Sequence, residues 1–248
     1  MIAIDLVRRL MRQYLRNALL MTLLIIVPAL FITISYYTTR PAEIAILVTE
    51  GGHRQPISVW MPDLHGAIMV PIIAAFLAGI AGLFVMLDAS RADGRLVVAG
   101  LTARQVGAAR LLMILVFSVL VAVLSVSVTL VQSRPGDLPG FLLASLLVAV
   151  SYGFIGAMVV LLVGRLGGAY LMLFIPMIDV GIFQDPMMIS GDQVWWMKLL
   201  PGFGGTRLAI DAAFTDRGND WPALAAALVW VAGLAVLTLA TFVRRTRR

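Results

Sequence analysis

The chain has 248 residues, 61% of them hydrophobic and 13% charged, with a formal net charge of +6, a mean hydropathy of +0.99 and an isoelectric point near 10.5. One soluble core could not bury that much apolar surface, which places the chain in the membrane class. The arginines sit between apolar runs and form no single basic face, which argues against nucleic acid, and the absence of cysteine excludes disulfides, thiolate zinc sites and thiol catalysis.

Taken from the start, Ile4, Val7, Met11, Tyr14 and Leu15 recur at helical spacing, with Asp5, Arg8, Arg9, Arg12 and Arg16 on the opposite face. This pattern fits an interfacial helix over residues 1–17 lying on membrane lipid. It fits a simple positively charged anchor equally well. The stretch is too charged for the core of a signal peptide, so the first apolar run is expected to stay as an anchor.

A helix rising about 1.5 Å per residue needs roughly 20 residues to cross the hydrocarbon layer. Six stretches approach that length: Ala18 to Tyr36, Leu64 to Leu87, Leu111 to Val131, Leu138 to Val163, Leu166 to Phe183 and Pro222 to Val243. The fold expected is therefore all-α integral membrane, a single domain over 1–248 with six transmembrane helices. Six spans put both ends on one side, together with the 88–110 loop and Arg165. That side carries thirteen arginines, including Arg244, Arg245, Arg247 and Arg248. The other carries six basic residues, Arg40, Arg54, Arg134, Lys198, Arg207 and Arg217. Cytoplasmic loops hold the positive excess, so both termini are expected in the cytoplasm and the chain in the inner (plasma) membrane.

The external loop 37–63 contains two β-prone stretches, Ile44 to Thr49 and Pro56 to Met61, around Glu50-Gly51-Gly52-His53, which predicts a hairpin. His53 and His65 lack carboxylates at ligand spacing, so no metal site is expected. The 88–110 loop opens with charge and turns apolar at Leu96, Val97, Val98 and Leu101, bordered by Arg91, Asp93, Arg95 and Arg104. A short helix there suits a groove on another protein, or it is an ordinary turn between spans. The 184–221 segment places Trp195, Trp196, Met197, Leu199 and Leu200 before Pro201-Gly202-Phe203-Gly204-Gly205 and an apolar run to Phe214. It reads as a re-entrant helical hairpin before the last span, or as a loop lying on the surface.

Asp179 is a carboxylate within a span, and such groups turn towards protein or water. Proton coupling is one reading. The other is a helix-end position where Asp179 is hydrated or bonded to a neighbouring helix. Ala75 and Gly79, Ala78 and Gly82, and Gly153 and Gly156 permit close helix contact, within one chain or between two.

In layout, and in Arg91-Ala-Asp93-Gly94-Arg95-Leu96 with Gly100 and Arg110, and Leu200-Pro201-Gly202-Phe203, the chain resembles ABC-2 type transporter permeases. In that family the loop between the second and third spans carries an acidic-Gly-x-Leu pattern, matched here by Asp93, Gly94 and Leu96. The family's following Thr-Pro is replaced by Gly100-Leu101-Thr102. The resemblance implies a permease half that pairs with a second permease subunit, itself or a homologue, and exports drugs, lipids or polysaccharides. It also implies a separate ABC ATPase subunit that binds ATP and Mg and drives the 88–110 coupling helix. No cofactor is expected in this chain, and it is not expected to be an enzyme: no G-x-x-x-x-G-K-[ST] loop occurs in its residues. The rival readings are a secondary transporter, possibly proton-coupled, or a channel, and an integral-membrane enzyme. The enzyme reading lacks the later aspartates of CDP-alcohol phosphotransferases and any Ser/His or paired-acid constellation.

Overall fold

The computed structural model describes residues 18–98, 102–189, 193–216 and 220–246. Arg8, Arg9, Arg12 and Arg16 of the expected interfacial helix, and Leu101 of the coupling loop, lie outside these residues. In chain order the elements are α1 (Ala18–Thr38), β1 (Glu43–Glu50), β2 (His53–Trp60), α2 (Met61–Val98), α3 (Ala103–Gln132) and α4 (Leu138–Ile178). A π-helical turn (Asp179–Phe183), a 3-10 turn (Met197–Leu199), α5 (Phe203–Phe214) and α6 (Trp221–Thr246) complete them. Five helices among the described residues are long and apolar enough to cross a membrane, so the chain has the character of a multi-pass membrane protein. Helices are what apolar runs must form where no water can satisfy the backbone.

Helix starts follow local chemistry. Thr102 caps α3 through a reciprocal pair: the Gln105 amide N–H donates to Thr102 Oγ1 (3.3 Å) and the Thr102 N–H to Gln105 Oε1 (2.9 Å). Asp137 caps α4 by accepting from the Gly140 N–H at 2.9 Å.

The fourth long helix covers 46 residues with its π-helical end, Leu138–Phe183, about twice the length needed for a crossing. It does not run straight. Gly164 has φ 80° and ψ −173°, a left-handed conformation that costs glycine little. In a continuous helix Tyr152 and Asp179 would be about 40 Å apart, yet the Tyr152 hydroxyl donates to Asp179 Oδ2 at 2.5 Å. The space beside Gly168 likewise meets Val160 Cα at 3.5 Å. The chain folds back at Gly164, and the two legs of α4 lie side by side.

α2 packs along both legs. A Cβ on Gly82 would overlap the Gly153 carbonyl, and one on Gly156 would overlap that of Gly79. Gly79 also faces the second leg, where Met172 Sδ lies 3.0 Å from the position its Cβ would take. The small residues of these spans therefore serve contact within the chain. α2 and α4 are the most enclosed of the five helices, while α1 and α6 leave most of their length open.

Cross-helix contacts define two ends. Gln132 donates to Thr33 Oγ1 (3.0 Å) and Thr39 Oγ1 meets His65 Nδ1 (2.5 Å) at one end. At the other, Gly107 packs against Leu239 and Phe242. The first end carries the β-hairpin and α5, and the second carries the tip of α2, the Gly164 reversal and the last turns of α6.

The hairpin forms as expected, with Glu50 opposite His53 and a two-residue turn at Gly51 (φ 60°) and Gly52 (φ 83°). That register places Leu47 and Pro56 in a non-hydrogen-bonded pair, the position a proline tolerates. Ile46, Val48 and Val59 form one buried face against Leu64, Ile68 and Ile210.

Two segments differ from their expected form. The 88–110 loop holds no separate short helix: α2 continues unbroken to Val98, and α3 begins at Ala103. Gly94 is the one breaker between Asp88 and Val98, and a single glycine costs a helix only about 1 kcal/mol, so α2 runs through the charged stretch. In 184–221 only the second arm is a full helix, α5. The first is the 3-10 turn, with Trp195 and Leu199 exposed. Phe203, Gly204 and Gly205 are not part of the turn but open α5 and are buried. Only Pro201 and Gly202 precede the helix.

Candidate functional site

At the end away from the hairpin, α2 runs on through the charged stretch to Val98, 38 residues in all, about 57 Å of helix and well beyond the roughly 20 residues that a crossing needs. Arg91, Asp93, Gly94, Arg95 and Leu96 all lie on this stretch. Arg104 is exposed in the first turn of α3. Arg110, one turn and a half further on, is 2% exposed and donates from Nη1 to the Val85 carbonyl at 3.3 Å. It ties α3 to α2 at Val85. The structure thus places Arg104 and Arg110 on α3, and Arg91, Asp93, Gly94, Arg95 and Leu96 of the expected coupling loop on the end of α2.

Asp179 sits at the hairpin end, 4% exposed, where the second leg of α4 tightens into its π-helical turn. Besides the Tyr152 hydroxyl, its Oδ2 accepts the Gly202 N–H (2.8 Å), and its Oδ1 accepts from Gln184 Nε2 (3.1 Å). Three donors from three segments converge on one carboxylate. The same Gln184 Nε2 donates to the Met197 carbonyl (3.1 Å), and Gln193 Nε2 donates to Gln184 Oε1 (2.9 Å). Asp179 is thereby the knot that fastens the Pro201-Gly202 turn and the 184–197 segment to the bundle, which is the helix-bonded alternative of the two sequence readings. Gly202 is required here: a Cβ would stand 2.9 Å from Asp179 Oδ2 and from Val180 Cγ2.

A second polar cluster at that end was not foreseen. Asp211 and Arg207 lie one turn apart on α5. Asp211 Oδ1 accepts the Thr49 N–H (2.9 Å), on the edge of β1 that faces away from β2. The Thr49 hydroxyl donates to Asp220 Oδ2 (3.1 Å), and Arg207 Nε is 2.5 Å from the same oxygen. Asp220 Oδ1 also accepts the Ala223 N–H (3.0 Å), which caps α6. Hairpin, α5 and α6 are pinned at one point. Burial pushes the Asp211 carboxyl up to about 6; the Thr49 N–H and the Arg207 guanidinium oppose this, and the Asp220 carboxylate adds to it. Burial also raises Asp185 above the usual carboxylate range, against its bond from the Met187 N–H and the nearby His65. The readable signal was the Arg207-Asp211 spacing of four on a short helix; Thr49 and Asp220 are too distant in sequence to be linked to it by pattern.

Among the described residues, no group of three or more His, Asp or Glu side chains is placed to hold a metal ion. No model of a known protein family matches the chain, and no curated protein matches it either.

Proposed function

We propose that the chain is the membrane-spanning permease subunit of an ATP-driven ABC-2 type exporter. Both legs of α4 then cross the membrane, giving six spans with both termini in the cytoplasm, and α5 dips into the outer leaflet before the last span. The observation that carries this reading is the two-ended build. One end is capped by the hairpin and α5, whereas at the arginine-rich end α2 continues to Val98 as a helix of 38 residues, longer than one crossing needs, and its last turns make a helical arm. Such an arm is a docking element for a cytoplasmic partner, and the partner this reading requires is an ATPase subunit that binds ATP and Mg. Arg110, buried at the arm's root, stiffens the joint through which the partner's movement enters the bundle. A second permease subunit completes the path. The three donors on Asp179 favour this reading over a proton-coupled carrier, because a relay carboxylate needs a second acid or base to exchange with.

The test is co-purification of the full chain with its cognate ATPase subunit, with ATP turnover measured on the complex. The Asp93→Lys, Leu96→Asp double variant is expected to insert normally in the membrane and to lose association and stimulated turnover. Equal association before and after the change would overturn the coupling assignment, and no association with any ATPase would overturn the permease reading.

A further inference from the structure

The hairpin end encloses a cavity of about 180 Å³ between β1, α5 and the 184–193 segment. Asp185, Asp211, Gln193, Arg54 and Arg207 contribute to its wall, with Ile46 and Ile210 supplying apolar surface. Two of the polar residues each have a buried acceptor oxygen with no hydrogen-bond partner, Asp211 Oδ2 and Gln193 Oε1. Asp211 is 1% exposed, and leaving such an acceptor unmet is costly.

The orientation of Gln193 follows from its neighbours. Gln184 Nε2 lies 3.1 Å from the Met197 carbonyl, which can only accept, so this atom is the amide nitrogen and Gln184 Oε1 is the acceptor. The atom of Gln193 that reaches Gln184 Oε1 at 2.9 Å must then be its nitrogen. Its oxygen is the one left over. Asp211 and Gln193 therefore each present an acceptor that needs a donor, while Arg207 Nε in the same wall is met by the Asp220 carboxylate at 2.5 Å.

Charge points the same way. Asp185, Asp211 and, behind them, Asp220 stand against Arg54 and Arg207, and Arg207 is already engaged by Asp220 and lies over the Phe203 ring. Ala45 and Leu47 also line the cavity. Their non-hydrogen-bonded register with Ser58 and Pro56 turns their carbonyls to the strand's free edge, the side on which Thr49 meets Asp211.

We propose that this cavity binds the protonated amino group of a small organic amine, with Asp211 Oδ2 and Gln193 Oε1 accepting its N–H donors. An apolar cavity of about 150 Å³ admits benzene, so the volume suits a ring of about six heavy atoms, its carbons against Ile46 and Ile210. Piperidinium is such a ring. The proposal stands apart from the permease reading, since it concerns binding to the chain alone.

The test is calorimetric titration of the full chain in lipid nanodiscs at neutral pH with piperidinium, with its neutral isostere tetrahydropyran and with cyclohexanecarboxylate. Saturable binding of piperidinium alone is expected, weakened at least tenfold in both Asp211→Asn and Gln193→Met. Asn at 211 keeps the acceptor for the Thr49 N–H and turns a donor towards the ligand. Should that variant fail to fold, Gln193→Met decides, because it leaves the Asp211 contacts in place. Equal binding of tetrahydropyran, preference for the carboxylate, no saturable heat with piperidinium, or unchanged affinity in either folded variant would overturn the proposal.

Discussion

Removing the donors or the acceptor of the Asp179 knot tests whether this carboxylate is structural. Tyr152→Phe deletes the hydroxyl that donates at 2.5 Å and leaves Asp179 with the Gly202 and Gln184 donors. One such bond is worth about 1 to 3 kcal/mol, depending on whether the acceptor is charged. Asp179→Ala removes the acceptor itself and strands three buried donors at once; at about 1 to 3 kcal/mol each, partial relaxation leaves an expected loss of about 3 to 5 kcal/mol. The 184–197 segment and the Pro201-Gly202 turn should loosen together, because their bonds end on the same group. The assay is equilibrium unfolding in mild detergent, with Trp195 and Trp196 as local fluorescence reporters, for both single variants and the double variant. The coupling should reach about 0.5 to 3 kcal/mol, as for residues in one hydrogen-bonded network. The reasoning fails if Asp179→Ala costs less than about 1 kcal/mol, or if the two changes add without coupling. It also fails if Asp179→Asn preserves stability yet abolishes a proton-gradient-dependent transport activity, which would restore the relay reading.

Gly82→Leu places a side chain where the Gly153 carbonyl already stands and should destabilise by at least the roughly 1 to 3 kcal/mol of overpacking; a thermal unfolding curve unchanged from the parent would refute the contact. Stability should also depend on pH through Asp211. A carboxyl raised from 3.8 to about 6 in the folded chain holds its proton more tightly when folded, so stability falls as pH rises from about 4 to 6 and is flat above, by on the order of 3 kcal/mol at most. Asp211→Asn should remove that slope in denaturant titrations, and a slope of the opposite sign would refute the account. Arg207→Met leaves Asp220, 2% exposed at its side chain, without its cation; with Arg207 partly exposed, the expected loss is about 2 to 4 kcal/mol, measured by the same unfolding assay.

What the sequence made legible was local. The apolar runs marked the long helices, since both composition and length are properties of a single segment, although α3 begins at Ala103, eight residues before the expected Leu111, and the two runs from Leu138 to Phe183 form one assigned helix with its π-helical end. Glu50-Gly51-Gly52-His53 between β-prone stretches marked the hairpin, and the structure narrows its turn to Gly51 and Gly52, where two successive positive φ angles exclude most other residues. The reversal at Gly164 was inferred from the end of one apolar run and the start of another, and its conformation could not be read from Gly164 alone. The unbroken helix through Asp88–Val98 was misjudged because charge was read as a loop signal, although Asp, Arg and Gly there do not suffice to stop a helix already propagating from Met61. Tyr152 and Asp179, Thr49 and Asp211, and Thr49 and Asp220 are long-range pairs. Each becomes visible only once the legs of α4 and the hairpin have been placed, since no periodicity links residues so far apart in sequence.

One consequence of α2 concerns leverage. β2 ends at Trp60 and α2 begins at Met61 with no linker, so the strand runs directly into a helix roughly 57 Å long that carries Pro71 within it. Its closest backbone contacts, at Gly79 and Gly82, fall near the middle, about 27 to 32 Å from Met61 and about 24 to 29 Å from Val98. On the permease reading, a partner that tilts α2 by about 5° about these contacts carries each end of the helix through roughly 2 to 3 Å, in opposite senses, so the hairpin at Trp60 moves whenever the far end at Val98 does.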